Sequence, residues 1–432
     1  MLIVIACLVT ILLFCVLVIA NNKMFGNPIT DYFNLFLVCI VGYMVVFFPL
    51  HIAYFSLAVR NLLTIYFSVW VLLISSFIGR NLKPRKQKLE VINISLLEKI
   101  IWPYLILGIL ANVIYLWPYG SYQRYLDYSL DLRVGNFLIY NRFSFLQPFG
   151  DIFYVSSLFF LGLEFHKHSK KNLFGLLLSV YLEILILIAN RGRMSFISFL
   201  AVMLISTVNI VFARKKIFKV ILVFVIFLTF ISLTEEISNA MGRGAPTDPV
   251  AIIVEGTYFI TNNIINVFRL PKELFRRGLD VFFPFVFLLP SRIWEGKLGM
   301  KTVSEQNTFF LEGAYKGQSG VTGELPVDLI SFCYYEFGIL GFMIVGIIAG
   351  MIIGYFIRKI RHLPTKAFQA IFKMYFFIQF ILRSFLVADP ANLITRFFGI
   401  IVFFVVYKGF KVLYLLKQRS HSRTKYYRGA PF

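Results

Sequence analysis

Arg191 and Arg193, separated by one glycine in Asn190-Arg191-Gly192-Arg193, are the cations best placed to do chemistry in this sequence. A very short link between two apolar runs would hold them at adjacent helix ends. There, planar guanidinium groups could grip a diphosphate through paired, charge-assisted hydrogen bonds. The plainer alternative is that both snorkel to lipid headgroups. Glu183 lies about two turns earlier, inside YLEILILIA. A carboxylate within an apolar run is costly, which points either to function or to pairing with a nearby arginine. Further cations follow: Arg142 in the segment 119–149, Arg276 and Arg277 beside Arg269 and Lys272 around Pro271, then Arg292 and Lys297. Glu324, Asp328 and Glu336 come next, with Glu324 and Asp328 four apart and so on one face of an expected helix. With Glu255 they are the candidates for a base that accepts a proton from an attacking hydroxyl.

The missing motifs narrow the chemistry. The sequence has no GxxxxGK[ST] phosphate loop, HExxH, Asp-x-Asp pair or nucleophile elbow. Cys7, Cys15, Cys39 and Cys333 all fall in apolar stretches without metal-ligand spacing, so neither a zinc site nor a disulfide framework is expected. We expect no metal and no cofactor. The tyrosines Tyr119, Tyr122, Tyr125, Tyr128 and Tyr140 lie among Arg124, Asp127, Asp131 and Arg133. They would suit sugar rings, or would anchor the chain at a membrane interface with no ligand at all.

The elements that must position these groups are membrane helices. The apolar share is 59% and mean hydropathy +0.79, and charged residues make up 15%; soluble domains run nearer ~45–50% apolar and ~25% charged. Runs long enough to cross ~30 Å of hydrocarbon fall near 2–20, 32–56, 62–79, 100–118, 150–165, 173–190, 194–212, 217–234, 327–357, 367–387 and 393–414. The expected fold is therefore an all-α polytopic membrane protein of about eleven transmembrane helices. Residues 1–234 form an N-terminal bundle of about eight helices, and 235–326 one long extracytoplasmic loop carrying short amphipathic helices. Residues 327–414 supply the C-terminal helices and 415–432 a basic cytoplasmic tail. Residues 250–268 make a poor span because of Glu255, Asn262, Asn263 and Asn266. The run 281–290 is too short to cross and is broken by Pro284 and Pro290; both segments are expected at the outer interface. Gly346, Gly350 and Gly354 repeat every fourth position, a pattern for close helix packing in lipid.

The formal charge of +22 is a topology signal rather than a nucleic-acid footprint. Lys and Arg cluster in the links 80–99, 167–171, 214–219 and 358–373 and in the tail, each after an odd-numbered span, which places those links in the cytoplasm. The stretch 235–326 is balanced, with nine basic against ten acidic residues, and falls on the opposite side. No nucleotide is supplied there, so a transferase would draw on a group already activated on a lipid, such as a sugar on a polyprenyl diphosphate.

The run from Phe287-Leu288-Leu289-Pro290 through Gly323 to Tyr334-Tyr335-Glu336-Phe337-Gly338-Ile339-Leu340-Gly341 resembles Wzy-type polymerases, the O-antigen and oligosaccharide repeat-unit polymerases of bacterial envelopes. The Arg191-Gly192-Arg193 link, the long loop and the span count agree with the resemblance. It implies a multi-pass protein of the bacterial inner membrane with its long loop periplasmic. It further implies metal-independent transfer of a growing glycan from undecaprenyl diphosphate to a new lipid-linked repeat unit, with membrane lipid and a chain-length regulator protein as partners. Arg191, Arg193, Arg142, Arg276, Arg277 and Arg292 would then stabilise charge growing on the diphosphate, and Glu324, Asp328 or Glu336 would be the base. The related O-antigen ligases use a loop histidine; here His51, His166, His168, His362 and His421 all lie outside the long loop. A lipid-linked oligosaccharide flippase is the other alternative.

Overall fold

The structure, a computed structural model, describes residues 1–25, 31–82, 92–133, 141–190, 193–212, 249–289, 292–321 and 323–428, plus single positions between 218 and 229. Every regular element among the described residues is helical. Seven helices are long and apolar enough to cross a membrane, and a bent pair makes an eighth.

The first is α1 (Leu2–Phe25), whose buried residues Ala6, Thr10, Leu17 and Asn21 form one narrow stripe on an otherwise lipid-compatible rod. Next, α2 (Tyr32–Gly42) passes through a π turn at Tyr43–Phe47 into α3 (Phe48–Tyr54). The wider turn has a local cause: Pro49 donates no hydrogen bond and its ring would strike the carbonyl four residues back. Then α4 (Leu62–Asn81) returns to the end at which Arg80 lies, and α5 (Ile94–Leu116) departs from it, capped by the Asn93 side chain. A short α6 (Tyr122–Arg133) precedes α7 (Asp151–His166), α8 (Lys170–Ala189) and α9 (Arg193–Val211). The last of these is apolar but shorter than the other spans.

Past residue 248 the chain forms α10 (Pro249–Val267), a series of single turns, and α11 (Val303–Glu312), which opens on a Thr302/Glu305 capping box. The C-terminal part contains α12 (Leu329–Phe337), α13 (Ile339–Arg361) and α14 (Lys366–Phe376). A π turn leads from α14 into α15 (Arg383–Leu386). Finally α16 (Pro390–Arg396) joins α17 (Phe398–Arg428) at a bend of 47°.

The glycine stripe does what its spacing suggests. A side chain on Gly350 would fall on the Ser76 carbonyl, and one on Gly79 would fall on the Ile347 carbonyl. Thus α4 and α13 meet backbone to backbone, with Ser75 Oγ donating to the Phe342 carbonyl (3.0 Å). The Lys/Arg-rich helix ends, marked by Arg80, Lys170 and Arg358, share one end of the bundle, here called the basic end; the opposite one is the far end.

Three expectations change. The stretch 235–326 is not a loop with only short interfacial helices, because α10 spans 19 residues and seats Ile260, Ile264 and Val267 in the largest core. The asparagines that argued against burial are absorbed: Asn263 Nδ2 donates to the Pro326 carbonyl (2.7 Å), Asn307 Nδ2 to Asn263 Oδ1 (3.2 Å), and Asn266 Nδ2 to the Asn262 carbonyl (2.9 Å). Glu255 faces outward. The expected single helix 327–357 is split at Gly338, whose φ of +60° suits glycine alone. Glu324 and Asp328 do not share a helix face, since the helix starts only after Asp328. The expected span at 217–234 lies mostly outside the described residues.

Candidate functional site

The far end of the bundle contains four charged side chains drawn from both halves of the chain: Asp151 on α7, Glu183 on α8, Arg383 on α15 and Arg396 on α16. Glu183 sits six residues before the end of α8, and Arg396 six residues after the start of α16. At 1.5 Å per residue Glu183 lies about 9 Å inside the end of α8, and Arg396 is the last residue of α16, about 9 Å from its start. Local sequence fixes each position. Asp151 opens α7, and its carboxylate accepts the Gly399 amide (2.8 Å) that the bend between α16 and α17 leaves free. Gly399 must be glycine, because a Cβ would stand 2.7 Å from the Asp151 carbonyl oxygen. The π turn Phe377–Leu382 turns Gln379 inward, where its Nε2 donates to the Tyr154 hydroxyl (3.1 Å) and its Oε1 accepts from Arg383 Nη1 (3.3 Å). The Tyr375 hydroxyl donates to the Arg396 carbonyl (3.3 Å).

These charges face one another without closing into pairs. Asp151 and Glu183 attract Arg396, Asp151 attracts Arg383, and the two arginines repel each other. Among the described residues none of them comes within 4.0 Å of an opposite charge. Asp151, Arg383 and Arg396 keep part of their surface accessible, whereas Glu183 is buried with one carboxylate oxygen unbonded. An unpaired buried charge is expensive. Two guanidinium groups held apart in a low-dielectric site can stabilise an anion that enters between them.

The folded stretch 249–326 is fastened to the same end. The Ala388 amide donates to the Val327 carbonyl (2.7 Å), and the Ser304 amide to Asp389 Oδ2 (3.3 Å). Segment 284–288 lies against α16.

Residues expected from sequence fall in several places. Arg191 lies outside the described residues, as do the side chains of Arg193 and Arg292. Arg142 is exposed and stacks over Phe143 (4.9 Å), and Arg277 is exposed at a left-handed φ of 55°. Arg276 is committed: it pairs with Asp280 through Nε and Nη2, and donates to Gln306 Oε1 (2.8 Å) and to the Lys301 carbonyl (2.6 Å). Glu336 lies 4.0 Å from it, buried, with no hydrogen-bond partner on either oxygen. Burial and the neighbouring Asp280 push the Glu336 carboxyl well above the usual carboxylate range, against the pull of Arg276. Asp328 caps α12, accepting from the Ile330 and Ser331 amides (2.9 and 3.0 Å) and the Ser331 hydroxyl (2.6 Å). Glu324 is exposed.

Of the tyrosines in 119–149, Tyr119, Tyr122, Tyr125 and Tyr128 do not present open faces, and Tyr140 lies outside the described residues. Tyr115, Tyr119, Tyr125 and Tyr128 bury against one another. The Tyr122 hydroxyl donates to the Leu185 carbonyl (2.6 Å), and that of Tyr125 to Asn190 Oδ1 (3.4 Å), so the cluster braces the end of α8 next to Arg191.

His51 is fully buried, with Nε2 donating to the Val254 carbonyl (3.0 Å) and Nδ1 facing Thr261 Oγ1 (2.7 Å). Among the described residues no group of three or more His, Cys, Asp or Glu could hold a metal ion. Sequence reasoning missed Asp151, Arg383 and Arg396. The signal was there, since FILRSFL and LITRFFG place an arginine inside an apolar run, as YLEILIL does a glutamate. No protein-family model, curated protein or solved structure matches the chain.

Proposed function

We propose that this chain is a membrane glycosyltransferase that polymerises oligosaccharide repeat units carried on undecaprenyl diphosphate. It acts from a bundle of eleven spans in a bacterial inner membrane, with the far end periplasmic. The carrying observation is the pair Arg383 and Arg396, held at the far end of the bundle and closed onto no carboxylate among the described residues. In the reaction an acceptor hydroxyl oxygen bonds to the donor's anomeric carbon, and the bond from that carbon to the diphosphate oxygen breaks. The electron pair stays on the diphosphate and the hydroxyl proton passes to a carboxylate. Charge grows on the leaving group, and two fixed guanidinium groups stabilise it best as it forms. Arg191 and Arg193, the cations expected from the sequence, are proposed to add to this grip, and the tyrosine cluster braces the adjoining end of α8. Glu183 is the base we favour, with exposed Glu324 as the alternative from the loop; Asp328 is occupied in capping a helix.

One observation favours a flippase as the second reading: the charges come from helices of both halves, as a carrier with a central site would require. The test is the lipid-linked product in cells carrying Arg383→Gln or Arg396→Gln. Lone repeat units on lipid, with polymer reduced about 10²–10³-fold, support the polymerase. Precursor trapped on the cytoplasmic face favours the flippase, and normal polymer at normal protein level overturns both.

A further inference from the structure

We infer a second anion site at the basic end, one that takes the phosphodiester headgroup of an anionic phospholipid. It is independent of the proposed transfer reaction. The site is the junction of α1, α2, α4 and α13. Arg80, on the last turn of α4, is buried to 3% exposure, yet its Nε has no hydrogen-bond partner. Among the described residues its nearest carboxylate, Asp31, stands 3.8 Å away, beyond hydrogen-bonding reach. Asp31 is shared, because Asn21 Nδ2 also donates to it (3.3 Å). The Phe25 ring covers one side of the guanidinium at 4.1 Å, and Gly354 lets Nη1 pack close to α13, where a Cβ would stand 3.3 Å from it.

Arg358, one turn beyond Gly354, adds a second positive charge that acts on Arg80, and Arg361 adds a third. Arg358 is half-buried and has no carboxylate within 4.0 Å among the described residues. Lys373 lies over the Tyr32 ring (6.0 Å), next to Asp31. Arg358, Arg361 and Lys373 thus add positive charge around Arg80 and its neighbour Asp31. The helix C-termini of α4 and α13 account for some of that charge, but a buried guanidinium edge without an acceptor is left over. A headgroup phosphate is the anion that membrane depth supplies, and its oxygens fit an arginine edge.

The experiment uses the full chain in nanodiscs of phosphatidylcholine, with and without a minority of phosphatidylglycerol. It reads thermal stability, and phosphatidylglycerol retained per protein by native mass spectrometry. Wild type should gain stability with phosphatidylglycerol and retain it. Arg358→Gln should reduce retention about tenfold, the effect of one charge-assisted hydrogen bond, and lose the stability gain. Lys408→Gln, an exposed cation on α17, should behave as wild type. Arg358→Lys keeps the charge and should fall between, which separates lost binding from misfolding. Equal loss in Arg358→Gln and Lys408→Gln would mean diffuse attraction to a charged bilayer and would overturn the site. Stabilisation by soluble glycerophosphate in pure phosphatidylcholine would replace the lipid by free phosphate and overturn it likewise.

Discussion

Glu336 and Arg383 are both ionisable residues in apolar surroundings, yet they make opposite demands. The Glu336 carboxyl, crowded by Asp280 and sealed from water, holds its proton above the ordinary carboxylate range. A group that binds its proton more tightly in the folded state costs stability as pH rises from the unfolded-state value toward the raised one. Glu336→Gln, which stays neutral, should therefore match wild type in acid and melt higher at alkaline pH. Melting curves in detergent across pH test this, and an unchanged difference at every pH would remove the buried-proton account. Arg383 keeps its charge, so its removal should be felt in turnover. Arg383→Gln should lower polymer formation about 10²–10³-fold with little change in melting temperature, measured as chain length per unit of protein; a large loss of stability instead would make Arg383 a structural residue. The sequence marked Glu183 and Glu336 by type, whereas it marked Arg276 for the wrong reason. A cation four residues before Asp280 is an ion pair waiting to form, and i,i+4 spacing was the cue.

Helix packing was the part most easily anticipated. Of the eleven spans expected from length and hydropathy, eight coincide with helices long and apolar enough to cross, and the spacing of Gly346, Gly350 and Gly354 foretold the close approach of α13 to α4. Gly350→Val would push a branched side chain into the Ser76 carbonyl of α4, so it should destabilise by about 3 kcal/mol or more. The measurement is folded yield and melting temperature; a tolerated substitution would mean the two helices can separate. Bends were harder to foresee. The π turn at 43–47 has its local cause in Pro49, but the break at Phe397 depends on partners across the bundle, such as the Gly399 amide donating to Asp151. Hydropathy carries no trace of that. For the same reason α10 read as a poor span: its asparagines are satisfied by Pro326 and Asn307, residues far along the chain.

Across the whole molecule, one end gathers the lysines and arginines while the other carries a folded stretch and an open set of opposed charges. The positive-inside bias assigns these ends to opposite faces of the membrane. A reporter fused at residue 300 should therefore read as extracytoplasmic and one fused after 428 as cytoplasmic. Agreement of the two reporters on the same face would break the even alternation on which the eleven-span reading rests. Because α10 drives Ile260 and Ile264 into the main core and ties Asn263 to Pro326, the stretch 249–326 is part of the foundations. Swapping 249–326 for the corresponding piece of a distant chain would thus trade a supporting wall along with any specificity it confers, and grafts meant to change the glycan of the proposed reaction should succeed only when α3 and α12 travel with it.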